Sequence, residues 1–255
     1  MRALAFGALG VWALAAAIRR EFSGKRCAGR LSVVNGHHPP VEQYLEMVHV
    51  LVEEEVPVIQ ARLVERLGYS AQAVSEMVHR LVDEGYLVHS GRGVVLTESG
   101  AAMAKTVVRR HRLAERFLVD VVGLPWVKAH EEADRWEHVI SDTVEARFVE
   151  ILGHPRTCPH GNPIPGEPRD PTPQRAMADA APGERFRLAR ITERVEDDTE
   201  ALVYLADHGL LPGRGALVRS RAPDGTLTLE LEGTDVPTTV AIGPAMGRQL
   251  FVTSA

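Results

Sequence analysis

The chain has 255 residues, 45% of them hydrophobic and 25% charged, and two cysteines far apart in sequence, Cys27 and Cys158. This composition excludes a mainly disordered chain, a collagen and a polytopic membrane protein, and so few thiols exclude a disulfide framework or a zinc site built from thiolates. The formal net charge is -5, yet residues 1–30 carry Arg2, Arg19, Arg20, Lys25, Arg26 and Arg30 against Glu21 alone, so the rest of the chain is strongly acidic. An acidic body argues against simple electrostatic attraction to nucleic acid and suits a protein whose carboxylates await a cation.

Residues 1–40 read as an apolar and basic leader outside the fold. Arg2, the apolar run over 3–18 and Arg19-Arg20 are laid out like a signal peptide or signal anchor, without a clean cleavage site. The run is short for a spanning helix, which needs about 20 residues. Bacterial starts at GTG or TTG codons make Leu31, Val33 or Val34 alternative first residues. The favoured expectation is a segment ahead of the true start, with a membrane anchor as its rival.

Helical spacing begins with Val41, Tyr44, Leu45, Val48, Leu51 and Val52 and breaks at Pro57. It resumes over 59–67, where Gly68 stops it. Ser70 is a good N-cap for a further helix, whose apolar face is Val74, Met77, Val78 and Leu81. Two apolar runs around Ser90-Gly91-Arg92-Gly93 predict a hairpin. Helix, helix, turn, helix, hairpin is the order of a winged helix-turn-helix, expected over 41–104. Thr97 caps a long helix over 98–122, and 126–152 reads as further helix. Residues 154–183 hold eight of the 16 prolines and read as an extended or disordered linker. Short alternating runs at 186–191, 226–232, 236–242 and 249–252, with a short helix near 202–208, then predict a small barrel over 184–255. The predicted fold class is therefore mainly α with a small β domain.

The chemistry is concentrated in two helical stretches. His130, Asp134, Glu137 and His138 are related by steps of three and four, so they share one stripe, and His111 and Glu115 form an i,i+4 pair on the preceding helix. A helical hairpin brings both stripes together, and two histidines with carboxylates suit a divalent first-row metal. The bland alternative is a solvated charged face, which leaves Trp136, Val139 and Ile140 beside the stripe unexplained. No zincin motif, phosphate-binding loop or nucleophile elbow occurs, so nothing points to catalysis. A metal-binding hydrolase or a metal-storage protein using the same cluster is the alternative function.

At these residues the chain resembles the diphtheria toxin repressor family of iron-dependent and manganese transport regulators. The resemblance is carried by VVRRHRLAERFL at 107–118, HEEADRWEHVISD at 130–142 and CPHGNPIPG at 158–166. It implies a homodimeric, cytoplasmic repressor that is no enzyme, takes no small-molecule substrate and does not work at a membrane. Such a repressor binds a double-stranded palindromic operator when loaded with metal. It also implies that 105–153 is the helical metal-binding and dimerisation domain and 184–255 an SH3-like small barrel.

Position by position, the resemblance gives an ancillary site of His111, Glu115 and His130 with Glu193 and Glu196, and a primary site of Gln43, Asp134, Glu137 and His138. Iron-type members place Met where Gln43 stands and Cys where Asp134 stands. Manganese-type members place carboxylates at both, with a further one matching Glu46. Oxygen donors in these places suit Mn²⁺, with Fe²⁺ as the alternative. His37, His38, His49, His79, His89, His154, His160 and His208 are expected to be non-ligands, and Cys158 an exposed linker thiol. Ser70, Gln72 and Ser75 on the recognition helix are expected to reach base edges and phosphates, and Arg62, Arg80 and Arg92 to touch phosphates. Over 56–100 four arginines face five acidic residues, so the metal-free chain should bind DNA poorly.

Overall fold

The structure, a computed structural model, describes residues 40–234 and 236–254. The leader expected over 1–40 thus falls almost wholly outside the described residues. Among these, no helix is long and apolar enough to cross a membrane.

Three helices open the fold: α1 (Pro40–Glu53), α2 (Gln60–Leu67) and α3 (Ala71–Asp83). Gly68 ends α2 at φ 70, a left-handed cap that glycine adopts without a Cβ penalty. Ser70 then starts α3 by accepting a hydrogen bond from the Ala73 amide. Only three residues separate the two helices, so the direction of α3 is set within a single turn. Strands β1 (Leu87–Ser90) and β2 (Gly93–Leu96) pair antiparallel as the wing. Tyr44, Leu45, Val48, Leu51, Leu63, Val74, Val78 and Leu81 fill one core beneath them.

Thr97 caps α4 (Glu98–Phe117) by accepting from the Gly100 amide, and the helix runs on through one π-helical turn, Leu118–Val122, to Gly123. The stretch expected as one helix over 126–152 is three pieces. A 3-10 turn, Trp126–Lys128, leads into α5 (Ala129–Trp136), and α6 (Asp142–Leu152) follows a break that ends at the N-cap Ser141. Glu137 closes α5 and His138 lies in the turn, so the four-residue stripe is not continuous helix. Ser141 competes for the backbone there by accepting from the Val144 amide.

The proline-rich segment departs most from expectation. Its first half is packed: Cys158, His160, Asn162 and Ile164 are buried, and Thr157 bridges Pro163. Gly161, at φ +90, is needed there, because a Cβ would meet the Ala189 carbonyl oxygen at 2.1 Å. Proline suppressed the periodic signal, while the arginines of α4 supply the missing donors. Arg112 donates to the Pro163 carbonyl at 2.6 Å and Arg116 to those of Thr157 and Cys158 at 2.8 Å.

The C-terminal domain is a six-stranded antiparallel sheet in the order β3-β8-β4-β5-β6-β7. Its strands are β3 (Arg175–Ala176), β4 (Arg185–Ile191), β5 (Gly215–Arg221), β6 (Leu227–Leu231), β7 (Thr239–Ile242) and β8 (Leu250–Ser254), with helices α7 (Glu193–Glu196), α8 (Thr199–Asp207) and α9 (Pro244–Gly247). Register shifts in β4 and β5 bend the sheet around Phe186, Leu188, Val218, Leu229 and Val252. Trp126 and Val127 pack on this core from the helical domain.

Candidate metal centre

Two clusters of potential ligands meet at His111. The inner one joins His111 and Glu115 of α4, His130 of α5 and Glu196 of α7, all buried, with ligand atoms within 4.8 Å of one another. His111 Nε2 lies 3.0 Å from His130 Nδ1. Glu115 Oε1 is 3.4 Å from each of these histidines, and Glu196 Oε2 is 3.1 Å from His130 Nδ1. His160 also belongs here, its Nδ1 3.0 Å from Glu115 and 3.1 Å from Glu196, and Cys158 groups with Glu115 and His160. Cys158, expected as an exposed thiol, is instead buried, and His160, expected as a non-ligand, lies against the carboxylates of this cluster. The signal was present in CPHG, but proline density concealed a buried loop.

The electrostatics fit a cation. Burial disfavours charge on His111, His130 and His160, yet the facing carboxylates outweigh it and hold all three imidazoles well above their ordinary range. Burial likewise opposes the charge on Glu115, but His160 and His111 hold its carboxyl well below the usual value. Glu196 Oε2 is buried without an aligned hydrogen bond, while Asn162 fixes the other oxygen at 2.6 Å. Burial pushes the Cys158 thiol up to about 11, which keeps it protonated.

The outer cluster faces a cavity of about 170 Å³ lined by Gln43, Glu46, Leu67, Asp134, Glu137 and Glu193 among others. Ligand atoms of Glu46, His111 and Glu137 lie within 4.8 Å of one another. His111 Nδ1 is 2.6 Å from Glu137 and 3.3 Å from Asp134, so the histidine assigned from sequence to one site stands between both. Burial and the Glu137 charge raise the Glu46 carboxyl well above its usual range, whereas His111 and His138, overcoming burial, lower Glu137 to about 2. His138 sits at the edge, 2.6 Å from Glu42 and 3.1 Å from Glu137.

Two expected residues are placed differently. Glu193 contacts Arg112 at 2.9 Å, the same guanidinium holds Glu53 at 2.7 Å, and Glu193 lines the outer cavity together with His111 and His130. Sequence reasoning passed over Arg112 because nothing local distinguishes a wholly buried arginine within RRHR. Asp197, 3.2 Å from His130 Nε2, was also passed over. Ser70, Gln72, Arg80 and Arg92 are exposed and Ser75 half-buried. Arg62 instead lines a cavity of about 640 Å³ with Arg194 and Arg248 of the C-terminal domain, and pairs with Glu65.

A winged reading head joined to buried histidine and carboxylate clusters defines a metal-responsive DNA-binding protein. The metal binding and dimerisation domain of the iron dependent repressors matches residues 97–166, their N-terminal DNA binding domain 38–95, and the FeoA domain 175–254. The chain is 41% identical over 204 residues to the iron-dependent repressor IdeR of Mycobacterium tuberculosis, covering 75% of this chain and 88% of that protein. It is 38% identical over 205 residues to the diphtheria toxin repressor of Corynebacterium diphtheriae, covering 76% and 90%. A manganese-dependent transcriptional repressor in complex with manganese superposes with a TM-score of 0.77 at 32% identity, over 84% of this chain and all of that one. The chain belongs to the iron-dependent repressor family of metal-dependent transcriptional repressors, not to an enzyme family.

Proposed function

We propose that this chain is a repressor activated by Mn²⁺, with Fe²⁺ as the alternative, that binds a palindromic operator as a homodimer and controls metal-ion homeostasis genes. Working on chromosomal DNA places it in the cytoplasm. The observation that carries the metal preference is the outer cluster: Glu46, Glu137, Asp134 and Gln43 offer hard oxygens around His111. The superposed manganese-dependent repressor supports the same reading, while the iron-dependent relatives keep Fe²⁺ as the rival.

Gln43, Glu46, Asp134, Glu137, His138 and His111 would form the outer, switching site. Glu115, His130 and Glu196 would form the inner site with His111, and His160 and Cys158 would complete its wall. A bound divalent cation would supply positive charge among these carboxylates. Its ligands come from α1 of the reading head and from α4 and α5 of the helical domain. Binding therefore fixes α1 against the trunk, and with it the spacing of two reading heads. Val121, Val122, Val139, Val144 and Ile151 are large exposed apolar residues on the helical domain, which suits a dimer face. Ser70, Gln72, Ser75, Arg80 and Arg92 would meet DNA. Arg62, exposed at the edge of the cavity shared with the C-terminal domain, would touch phosphate. The test is promoter binding by the metal-stripped chain with Mn²⁺, Fe²⁺ or chelator. Retention only with Mn²⁺, or more tightly with Mn²⁺ than with Fe²⁺, is expected; equal binding in chelator overturns metal activation.

A further inference from the structure

We propose that Tyr69 is a positioning residue that couples the outer metal cavity to the recognition helix through Gln43. Tyr69 is the middle residue of the three-residue turn between α2 and α3, next to the Ser70 cap. Its hydroxyl donates to Gln43 Oε1 at 3.0 Å. Its ring lies parallel to that of Tyr44, at a centroid distance of 6.1 Å and an interplanar angle of 3°. Tyr44 is a core residue of α1, and Gln43 lines the metal cavity beside Glu46. One side chain thus spans from the start of the recognition helix to a residue at the cavity.

An amide oxygen carries two lone pairs. Tyr69 occupies one and orients the group, leaving the other for a cation, as outer-shell donors commonly do for metal ligands. A cation that pulls on Gln43 then pulls on the turn that starts α3, and the turn is too short to absorb the movement. The coupling is reciprocal: holding the turn in one geometry must tighten metal binding. This inference rests on the outer cavity being a metal site, and it adds the route by which that site reaches the reading head. The sequence pattern gave no sign of it, because residues 43 and 69 meet only in the folded chain.

The experiment is calorimetric titration of Mn²⁺ into the metal-stripped full chain, for wild type, Tyr69→Phe, Gln43→Leu and the double variant. Tyr69→Phe keeps the stacked ring and removes the hydroxyl, at a half-exposed position that does not threaten folding. Expected is a roughly 2- to 10-fold weaker Kd at the binding step that Gln43→Leu also weakens, the range for one net hydrogen bond. In the Gln43→Leu background, Tyr69→Phe should add nothing. Hydrogen exchange supplies a second readout: Mn²⁺ should slow amides 70–74 in wild type and not in Tyr69→Phe, while amides 107–118 slow in both. An undiminished Tyr69→Phe effect in the Gln43→Leu background, or unchanged Kd and exchange in Tyr69→Phe, overturns the coupling alone. No Mn²⁺ or Fe²⁺ uptake by the wild-type chain overturns the metal reading and the coupling with it.

Discussion

The two ligand clusters share His111 but differ in what encloses them. The inner one is buried: His111, Glu115, His130, His160 and Glu196 are all shielded from solvent, and its elements are α4, α5, the 158–162 loop and α7. None of these belongs to the reading head. The outer one lies at a domain border, with Glu46 from α1 facing Glu137 and His111. Under the proposed function, the buried cluster would hold the helical and C-terminal domains together whatever DNA is present, and the outer one would change the reading head when it fills. The difference in burial assigns the proposed anchoring role to the inner cluster and the proposed switching role to the outer one.

The largest effect belongs to the shared residue. His111→Ala removes a donor from both clusters, and metal affinity should fall by more than about 100-fold, beyond the loss typical of an outer-shell change. Metal-dependent DNA retention should vanish; a gel-shift still responsive to Mn²⁺ would break the picture of a single hinge residue.

Glu137→Gln and Glu196→Gln should then part company. The outer variant should lose activation of DNA binding at every Mn²⁺ concentration. The inner one should keep activation but need about 10-fold more metal, and lose most of the rise in Tm on Mn²⁺ addition. Identical behaviour of the two would erase the distinction between anchor and switch.

Replacing hard with soft donors in the outer cluster alone is a smaller change. Asp134→Cys with Gln43→Met should shift preference from Mn²⁺ toward Fe²⁺ and later metals by about 10-fold, read as the order of metals activating DNA binding. An unchanged order would count against the manganese reading.

The mildest effect is on the metal-free chain. Its inner histidines have raised pKa values in the fold. Their stabilisation is complete below the ordinary histidine value of about 6.5 and is lost as pH rises through the raised values. Glu46, raised by burial, acts in the same direction. The lowered Glu115 and Glu137 work at the other end, losing their contribution only as pH falls through their depressed values. Urea midpoints of chelator-treated protein should therefore fall between pH 6 and pH 9, and Mn²⁺, which displaces those protons, should bind more tightly over the same interval. Midpoints that rise instead would show that the protonated cluster is not what holds the metal-free centre.

Local chemistry explains what the sequence determined. The Gly68 stop, the Ser70 and Thr97 caps, the wing turn and the alternating strands of the C-terminal domain all act within a few residues, so periodicity and cap chemistry were enough to read them. The histidine and carboxylate stripes were legible for the same reason, and the family resemblance extended them to Glu46 and Glu196. The tertiary structure alone decided how ligands divide. Glu193 and Glu196 stand three residues apart on one short helix, yet the first pairs with Arg112 while the second meets His130 and His160. His160 enters the cluster because the arginines of α4 satisfy the carbonyls of a proline-rich loop, and Tyr69 reaches Gln43 across 26 positions of sequence. Such pairings depend on which distant groups satisfy a buried charge or carbonyl, and only the packed chain determines that.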